Sequence, residues 1–299
     1  MKKSNGKNIV ISDRAFYITV RVFLGFFALI VLYPLIYIFS CSISTPESVM
    51  SGEVVVFPGD FSLAGYKAVF RTNGILLGFR NSVFYTVVGT LINVVMTVIC
   101  AYPLSRKDLP GQRVFMKLFT FTMIFSGGMI PTYLLIRDLH MLNTVWAILI
   151  PGAMGVYNMI ITRTYFMNSI PSELLEAAKL DGCDDVSYLK RVALPLSKPI
   201  LAVITLFYAV GHWNSYFSAF LYLSDQKLYP LQIYLRDILI SNKINQDTMM
   251  DGIGDAPVFG LEYTLKYSLI VVAVVPMLVI YPFVQKHFVK GVMIGAIKG

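Results

Sequence analysis

Two stripes of polar and aromatic side chains interrupt the apolar runs of this chain, and both suit binding rather than bond breaking. Thr86, Thr90, Asn93 and Thr97 recur at spacings of four, three and four, one face of a helix. Tyr208, His212 and Tyr216 recur at four, with Trp213 and Asn214 beside them. Aromatic rings set among hydroxyls and amides recognise sugars by stacking and hydrogen bonding. Each stripe keeps a second reading. The hydroxyls of the first would equally bond to their own backbone or to a neighbouring helix, instead of lining an aqueous path. The rings of the second would equally form a belt at a membrane interface. His212 has no second histidine or carboxylate at ligand spacing, so no metal is expected there.

Chemistry that would consume fuel is missing. The chain has no G-x-x-x-x-G-K-[ST] phosphate loop, no H-E-x-x-H and no G-x-S-x-G. No catalytic residue is expected. No apolar run carries an ionic pair that would couple an ion gradient. Any energy for uphill movement must enter from outside.

One polar segment offers an entry point: Ile170–Pro195, IPSELLEAAKLDGCDDVSYLKRVALP. Pro171 suits a first helical turn, and Glu173 and Glu176 sit near the positive end of that helix dipole. Ala177 and Ala178 allow close approach by another surface. Gly182 is where the helix stops, in the left-handed conformation that glycine adopts without strain. Asp184 caps a second helix ending before Pro195 and Pro199. Two short exposed helices on a polar loop form a handle.

The elements around these residues follow from composition. Of 299 residues 56% are hydrophobic and 14% charged, and the mean hydropathy is +0.67. These values place the chain among all-α membrane proteins. A hydrocarbon core of ~30 Å needs roughly 20 apolar residues. Six runs qualify: 16–41, 79–104, 114–136, 145–166, 197–223 and 263–288, the fourth interrupted by Pro151, Gly152 and Gly155. Residues 1–15 are an N-terminal arm, 16–288 the membrane domain and 289–299 a tail.

Lys and Arg placement orients the spans. Lys2, Lys3, Lys7 and Arg14 lie in the arm, and Arg106, Lys107, Arg113 and Lys117 follow the second run. Arg163, Lys179, Lys190, Arg191 and Lys198 flank or occupy the handle, and Lys286, Lys290 and Lys298 the end of the chain. The opposite loops hold Lys67, Arg71, Arg137, Lys227, Arg236 and Lys243. Both termini and the handle therefore face the cytoplasm. The net charge of +8 lies at membrane edges, so it does not point to nucleic acid. Cys41, Cys100 and Cys183 make neither a disulfide framework nor a metal set. Outside, Leu63, Tyr66, Val69 and Phe70 predict an interfacial helix. The acidic loop 223–262 predicts a helix over Leu231–Leu239, followed by a Gly/Asp-rich stretch.

The handle resembles the EAA loop of binding-protein-dependent ABC importer permeases. Glu176-Ala177-Ala178 is followed after three residues by Gly182, and after nine more by Val192-Ala193-Leu194-Pro195. Val192 replaces the isoleucine of the family pattern. Asn81-Ser82, Ala101-Tyr102 and Trp213-Asn214 are similar to carbohydrate permeases of the maltose-permease (MalG) kind, and the ending Phe288–Gly299 to an LplC-like branch associated with complex oligosaccharides.

The resemblance implies a type I permease fold of six spans in a bacterial cell membrane. It implies a second homologous permease and two cytoplasmic ATPase subunits that bind ATP and Mg, leaving this chain without a cofactor. It also implies an extracytoplasmic solute-binding protein facing loop 223–262. Glu176, Ala177, Ala178, Gly182, Val192, Leu194 and Pro195 would dock on an ATPase, and Thr90, Asn93, His212, Trp213, Asn214 and Tyr216 would line the path. The implied substrate is an oligosaccharide, with a non-sugar solute as the alternative. No cluster of cations lies in the spans, so acidic sugars such as uronate oligomers are not favoured.

Overall fold

The computed structural model describes residues 6–241 and 260–296, with side chains described over 14–240 and 260–282. Among these residues the only β-contact is an isolated bridge between Ser44 and Phe61. The acidic residues Asp247, Asp251 and Asp255, the GIGDAP stretch, and both chain ends lie outside the described residues.

The chain forms two compact units. In the first, α1 (Gly6–Ser42) is an apolar helix whose side chains from Phe16 to Ile36 are largely exposed. Such a surface requires lipid or another protein around it. Short helices α2 (Pro46–Met50) and α3 (Ala64–Arg71) follow. Thr45 caps α2 through the Ser48 N–H. α3 matches the helix predicted from the Leu63–Phe70 pattern. Gly65 lets α3 lie directly on residues 264–268 of the last helix, for a Cβ there would meet Ser268 Oγ.

The second unit is built on α4 (Asn73–Ser105), 33 residues long, with Pro103 in its last turn. It also contains α5 (Gln112–Ile124) and α6 (Met129–Asp138), bent against each other by 112°. Ser126, Gly127 and Gly128 make that break, with Gly128 at φ 85°. Next come α7 (Trp146–Leu149), α8 (Val156–Ser169), α9 (Ser172–Leu180) and α10 (Asp185–Tyr188). A π-helical turn over Leu189–Ala193 leads to α11 (Leu194–Leu196) and then α12 (Lys198–Trp213), bent by 83° at Ser197. α13 (Phe217–Tyr222) and α14 (Leu231–Ser241) precede α15 (Leu261–Ala296). α14 matches the helix predicted over Leu231–Leu239.

Three described helices are long and apolar enough to cross a membrane, or five if each bent pair is one span. The expected fourth run is the exception. It holds a four-residue helix, a break at 150–155 and the 14-residue α8, too short to cross unaided at ~1.5 Å per residue. Pro151, Gly152 and Gly155 cause the break. Its freed backbone is paired by distant side chains. The Asn93 amide donates to the Gly152 carbonyl, and the Gly155 N–H donates to Tyr208 Oη at 3.0 Å. Such pairing offsets the cost of the break, because backbone amides left unpaired away from water are costly.

Candidate functional site

The chemistry of this chain sits at two places on α4, its far end and its middle. At the far end, Ala101, Tyr102 and Leu104 form a buried core with Met159 and Phe166 of α8, Tyr188 and Ala193. Leu175, Ala178, Cys183, Leu189 and Val192 pack against it from the handle. α9 therefore turns Leu175 and Ala178 inward. Its other face is left in solvent: Glu173, Glu176 and Ala177 are exposed, and so is Leu174, while Leu180 is 90% exposed. Apolar side chains held in water on a polar elbow mark a docking face.

Gly182 stops α9 at φ 73°, and Asp184 caps α10 by accepting the Ser187 N–H at 3.3 Å. The Ser187 hydroxyl, and after it this N–H, hold the Asp184 carboxyl below its ordinary pKa. Val192 and Leu194 are half-buried and Pro195 is exposed where the elbow returns toward α12. A cavity of about 610 Å³ opens beside α9, bordered by Arg106, Ser169, Glu173 and Glu176.

An ionic junction ties this elbow to α4. Arg106 Nε and Nη2 donate to the two oxygens of Asp108 at 2.9 and 2.6 Å. Its Nη1 donates to Asp185 at 2.6 Å and to Tyr102 Oη at 3.2 Å. Lys179 of α9 reaches Asp108 at 3.2 Å. Asp108 chiefly holds Arg106 above its ordinary pKa, and Arg106 in turn holds the Asp108 carboxyl well below the usual carboxylate range. The Leu104 carbonyl, unpaired at the helix end, accepts from Arg163 Nε at 2.7 Å and Gln112 Nε2 at 2.5 Å. From sequence alone Arg106 is only a cation marking topology. The carboxylate two residues later is the signal that more was involved.

In the middle of α4 the two sequence stripes meet. Thr97 Oγ1 and Tyr208 Oη are 2.7 Å apart, and Asn93 Oδ1 is 2.5 Å from His212 Nε2. Gly89 makes room for the imidazole, since a Cβ there would lie 2.5 Å from the ring. Asn93 and Thr97 thus bond to neighbouring elements. Thr86 and Thr90 are buried, and their hydroxyls have no partner among the described residues. Trp213 is also buried. It donates from Nε1 to the Ala273 carbonyl at 2.8 Å and meets Phe79 edge-on at 5.8 Å.

Tyr208, His212 and Tyr216 do not form the single face expected of them. α12 ends at Trp213, so Tyr216 lies beyond it, exposed like Asn214. The Asn214 amide bonds back to the Val210 carbonyl at 3.0 Å and satisfies the helix end locally.

At its other end α4 holds the segment before α14. Asn81 Nδ2 donates to the carbonyls of Lys227 and Tyr229 at 2.7 and 3.0 Å. Tyr85 Oη donates to the Leu228 carbonyl at 2.9 Å, and the Leu231 N–H donates to Ser82 Oγ at 2.9 Å.

Residues 10–294 match the family model described as binding-protein-dependent transport system inner membrane component. The chain is 44% identical over 288 residues to the polygalacturonan/rhamnogalacturonan transport system permease protein YtcP of Bacillus subtilis, covering 96% of this chain and 99% of that one. It is 41% identical over 291 residues to Protein LplC of the same organism, with 96% of each chain covered. In structure it is similar to a bacterial ABC transporter involved in the import of the acidic polysaccharide alginate. That match has a TM-score of 0.86 and 38% identity, and covers 96% of this chain and 100% of the other. With nearly its whole length accounted for, the chain belongs to the binding-protein-dependent inner membrane components and is a multi-pass permease of the ABC importer type.

Proposed function

We propose that this chain is one of two homologous permeases in an ATP-driven importer for oligosaccharides. The observation that carries the reading is the two-faced α9, with Leu175 and Ala178 packed inward and Leu174 and Leu180 left in water around Glu176 and Ala177. An apolar face presented on a rigid elbow fits a groove on a second protein, and a chain without a phosphate loop needs such a partner for energy. Two cytoplasmic ATPase subunits bind ATP and Mg in this reading, and this chain binds neither. The elbow and both termini face the cytoplasm, as the Lys and Arg bias requires. Counting α7 and α8 as one interrupted crossing gives six spans. Loop 223–262 faces the solute-binding protein on the opposite side.

The path residues divide by what they touch. The exposed Asn214 and Tyr216 supply polar contacts to a sugar, while Thr86 and Thr90 keep their unpartnered hydroxyls buried on the same stripe of α4. Asn93, His212 and Trp213 hold the surrounding helices in place. An acidic oligosaccharide is the more specific reading, carried by similarity to permeases named for polygalacturonan and to an alginate importer. It runs against the expectation of a neutral sugar, which rested on the lack of a cationic cluster in the spans.

Reconstitution into proteoliposomes with the partner permease, the ATPase and the binding protein tests both levels. ATP-dependent uptake of oligogalacturonates in preference to neutral oligosaccharides is expected. Glu176→Lys and Leu180→Asp should each lower uptake at least tenfold at equal membrane insertion. Wild-type uptake by both variants, or transport by this chain alone, would remove the ATPase elbow from the account.

A further inference from the structure

Arg106, just past the end of α4, binds two near neighbours in sequence and one residue 79 positions away. Its guanidinium is bidentate to Asp108, reaches Asp185 at the start of α10, and meets Tyr102 one turn back in α4. Through Asp108 it also joins Lys179, in the last turn of α9. Exposed ion pairs taken singly contribute little. This one differs because the Arg106 side chain is only 10% exposed. A guanidinium held out of water must keep its partners, since leaving it unpaired is costly.

Other contacts between the elbow and α4 are apolar and ring-on-ring, such as Tyr102 with Tyr188 at a centroid distance of 6.4 Å. Dispersion contacts resist separation, but they fix direction poorly. A planar fork with five donors fixes it well.

We propose that Arg106 is a positioning residue for energy coupling, fastening α9 and α10 to the end of α4 so that displacement of the elbow moves α4 rather than sliding past it. The proposal rests on the reading that α9 docks on an ATPase. Arg106 is itself largely withdrawn from solvent and holds Asp185 directly and Lys179 through Asp108, so it acts through the elbow's attachment. α4 also carries Thr86 and Thr90, and at its opposite end it holds the carbonyls of Lys227, Leu228 and Tyr229. A rod gripped at both ends delivers one motion to the path and to the far loop.

The test is the quantity of substrate carried per ATP hydrolysed by the complete transporter in proteoliposomes, saturated with its binding protein. Arg106→Ala should keep ATP hydrolysis within twofold of wild type while substrate carried per ATP falls at least fivefold. Arg106→Lys should restore part of that ratio, because an ammonium replaces the charge but not the fork. The double variant Lys179→Met/Asp185→Asn cuts the two outer ties at side chains that are 52% and 64% exposed, where folding is little affected. It should lower the ratio at least twofold, and it decides the matter if Arg106→Ala does not assemble.

A ratio unchanged in both Arg106→Ala and the double variant overturns the proposal. So does a fall of hydrolysis and uptake in equal proportion with no rescue by lysine. Wild type separates the two levels of inference. Failure of wild type to couple hydrolysis to uptake counts against the importer reading itself, whereas coupling by wild type and variants alike removes only Arg106.

Discussion

Asn93 Oδ1 lies 2.5 Å from His212 Nε2, while the Asn93 amide donates to the Gly152 carbonyl. Because the carboxamide oxygen can only accept, the imidazole donates to it from Nε2. One side chain on α4 thereby closes the broken fourth run and fixes α12. His212→Ala strands an acceptor on a residue that is 1% exposed, at a cost of about 1–3 kcal/mol. Gly89→Ala drives a methyl into the imidazole and should also destabilise the protein. In the His212→Ala background that methyl enters vacated space, so the two costs should not add. Thermal unfolding of the single and double variants in detergent checks this, and additive losses would contradict the shared contact.

Gly182 stands at φ 73° with nothing within 4 Å of a Cβ built on it. Any penalty for a side chain there is backbone strain alone, about 1–2 kcal/mol for a residue that does not tolerate the left-handed region. Gly182→Ala should loosen the turn between α9 and α10, read as faster protease cleavage in the elbow and lower uptake. Gly182→Asn, which visits that region readily, should stay near wild type. Equal behaviour of the two variants would place the effect elsewhere.

The elements legible in the sequence were those fixed locally. Most of the apolar runs, the helices α3 and α14, the stop at Gly182 and the cap at Asp184 all depend on neighbours a few residues away. Pairings across long separations were not legible. Tyr208 was read as one face with His212 and Tyr216, yet it serves the Gly155 amide 53 residues earlier, and α12 ends before Tyr216. Asn93 shares the Thr86–Thr97 stripe, and nothing in that spacing shows that its amide satisfies a carbonyl 59 residues away. Arg106 was counted for its charge, and its partner Asp185 is 79 residues distant. Spacing along a helix shows which face a residue shares, and says nothing of what lies opposite.

Asn81 holds two carbonyls of the segment before α14, and Ser82 accepts the buried N–H of Leu231. Asn81→Ala should free residues 226–231 from α4. If that segment faces the binding protein, stimulation of ATP hydrolysis by the loaded binding protein should fall several-fold while unstimulated hydrolysis stays. Limited proteolysis should open a new cut near Lys227. Full stimulation alongside the new cut would show that the segment's attachment is irrelevant to signalling from outside.

The junction at Arg106 should be indifferent to pH across the working range. Asp108 is faced by Arg106 and Lys179, with Tyr102 and Asp185 around the same guanidinium, and the pairing holds its carboxyl well below the ordinary carboxylate value of ~3.9. A group whose native pKa is depressed contributes fully above its unfolded value, and loses that contribution only as pH falls through the lower native one. Arg106 stays protonated throughout. Between pH 8 and pH 5.5 the substrate carried per ATP by wild type should therefore exceed that of Asp108→Asn by a constant factor, whatever the shared pH dependence of the ATPase. Convergence of the two proteins by pH 6 would mean that the carboxylate takes up a proton far above the ordinary carboxylate value, and that its pairing with Arg106 does not hold in the working transporter.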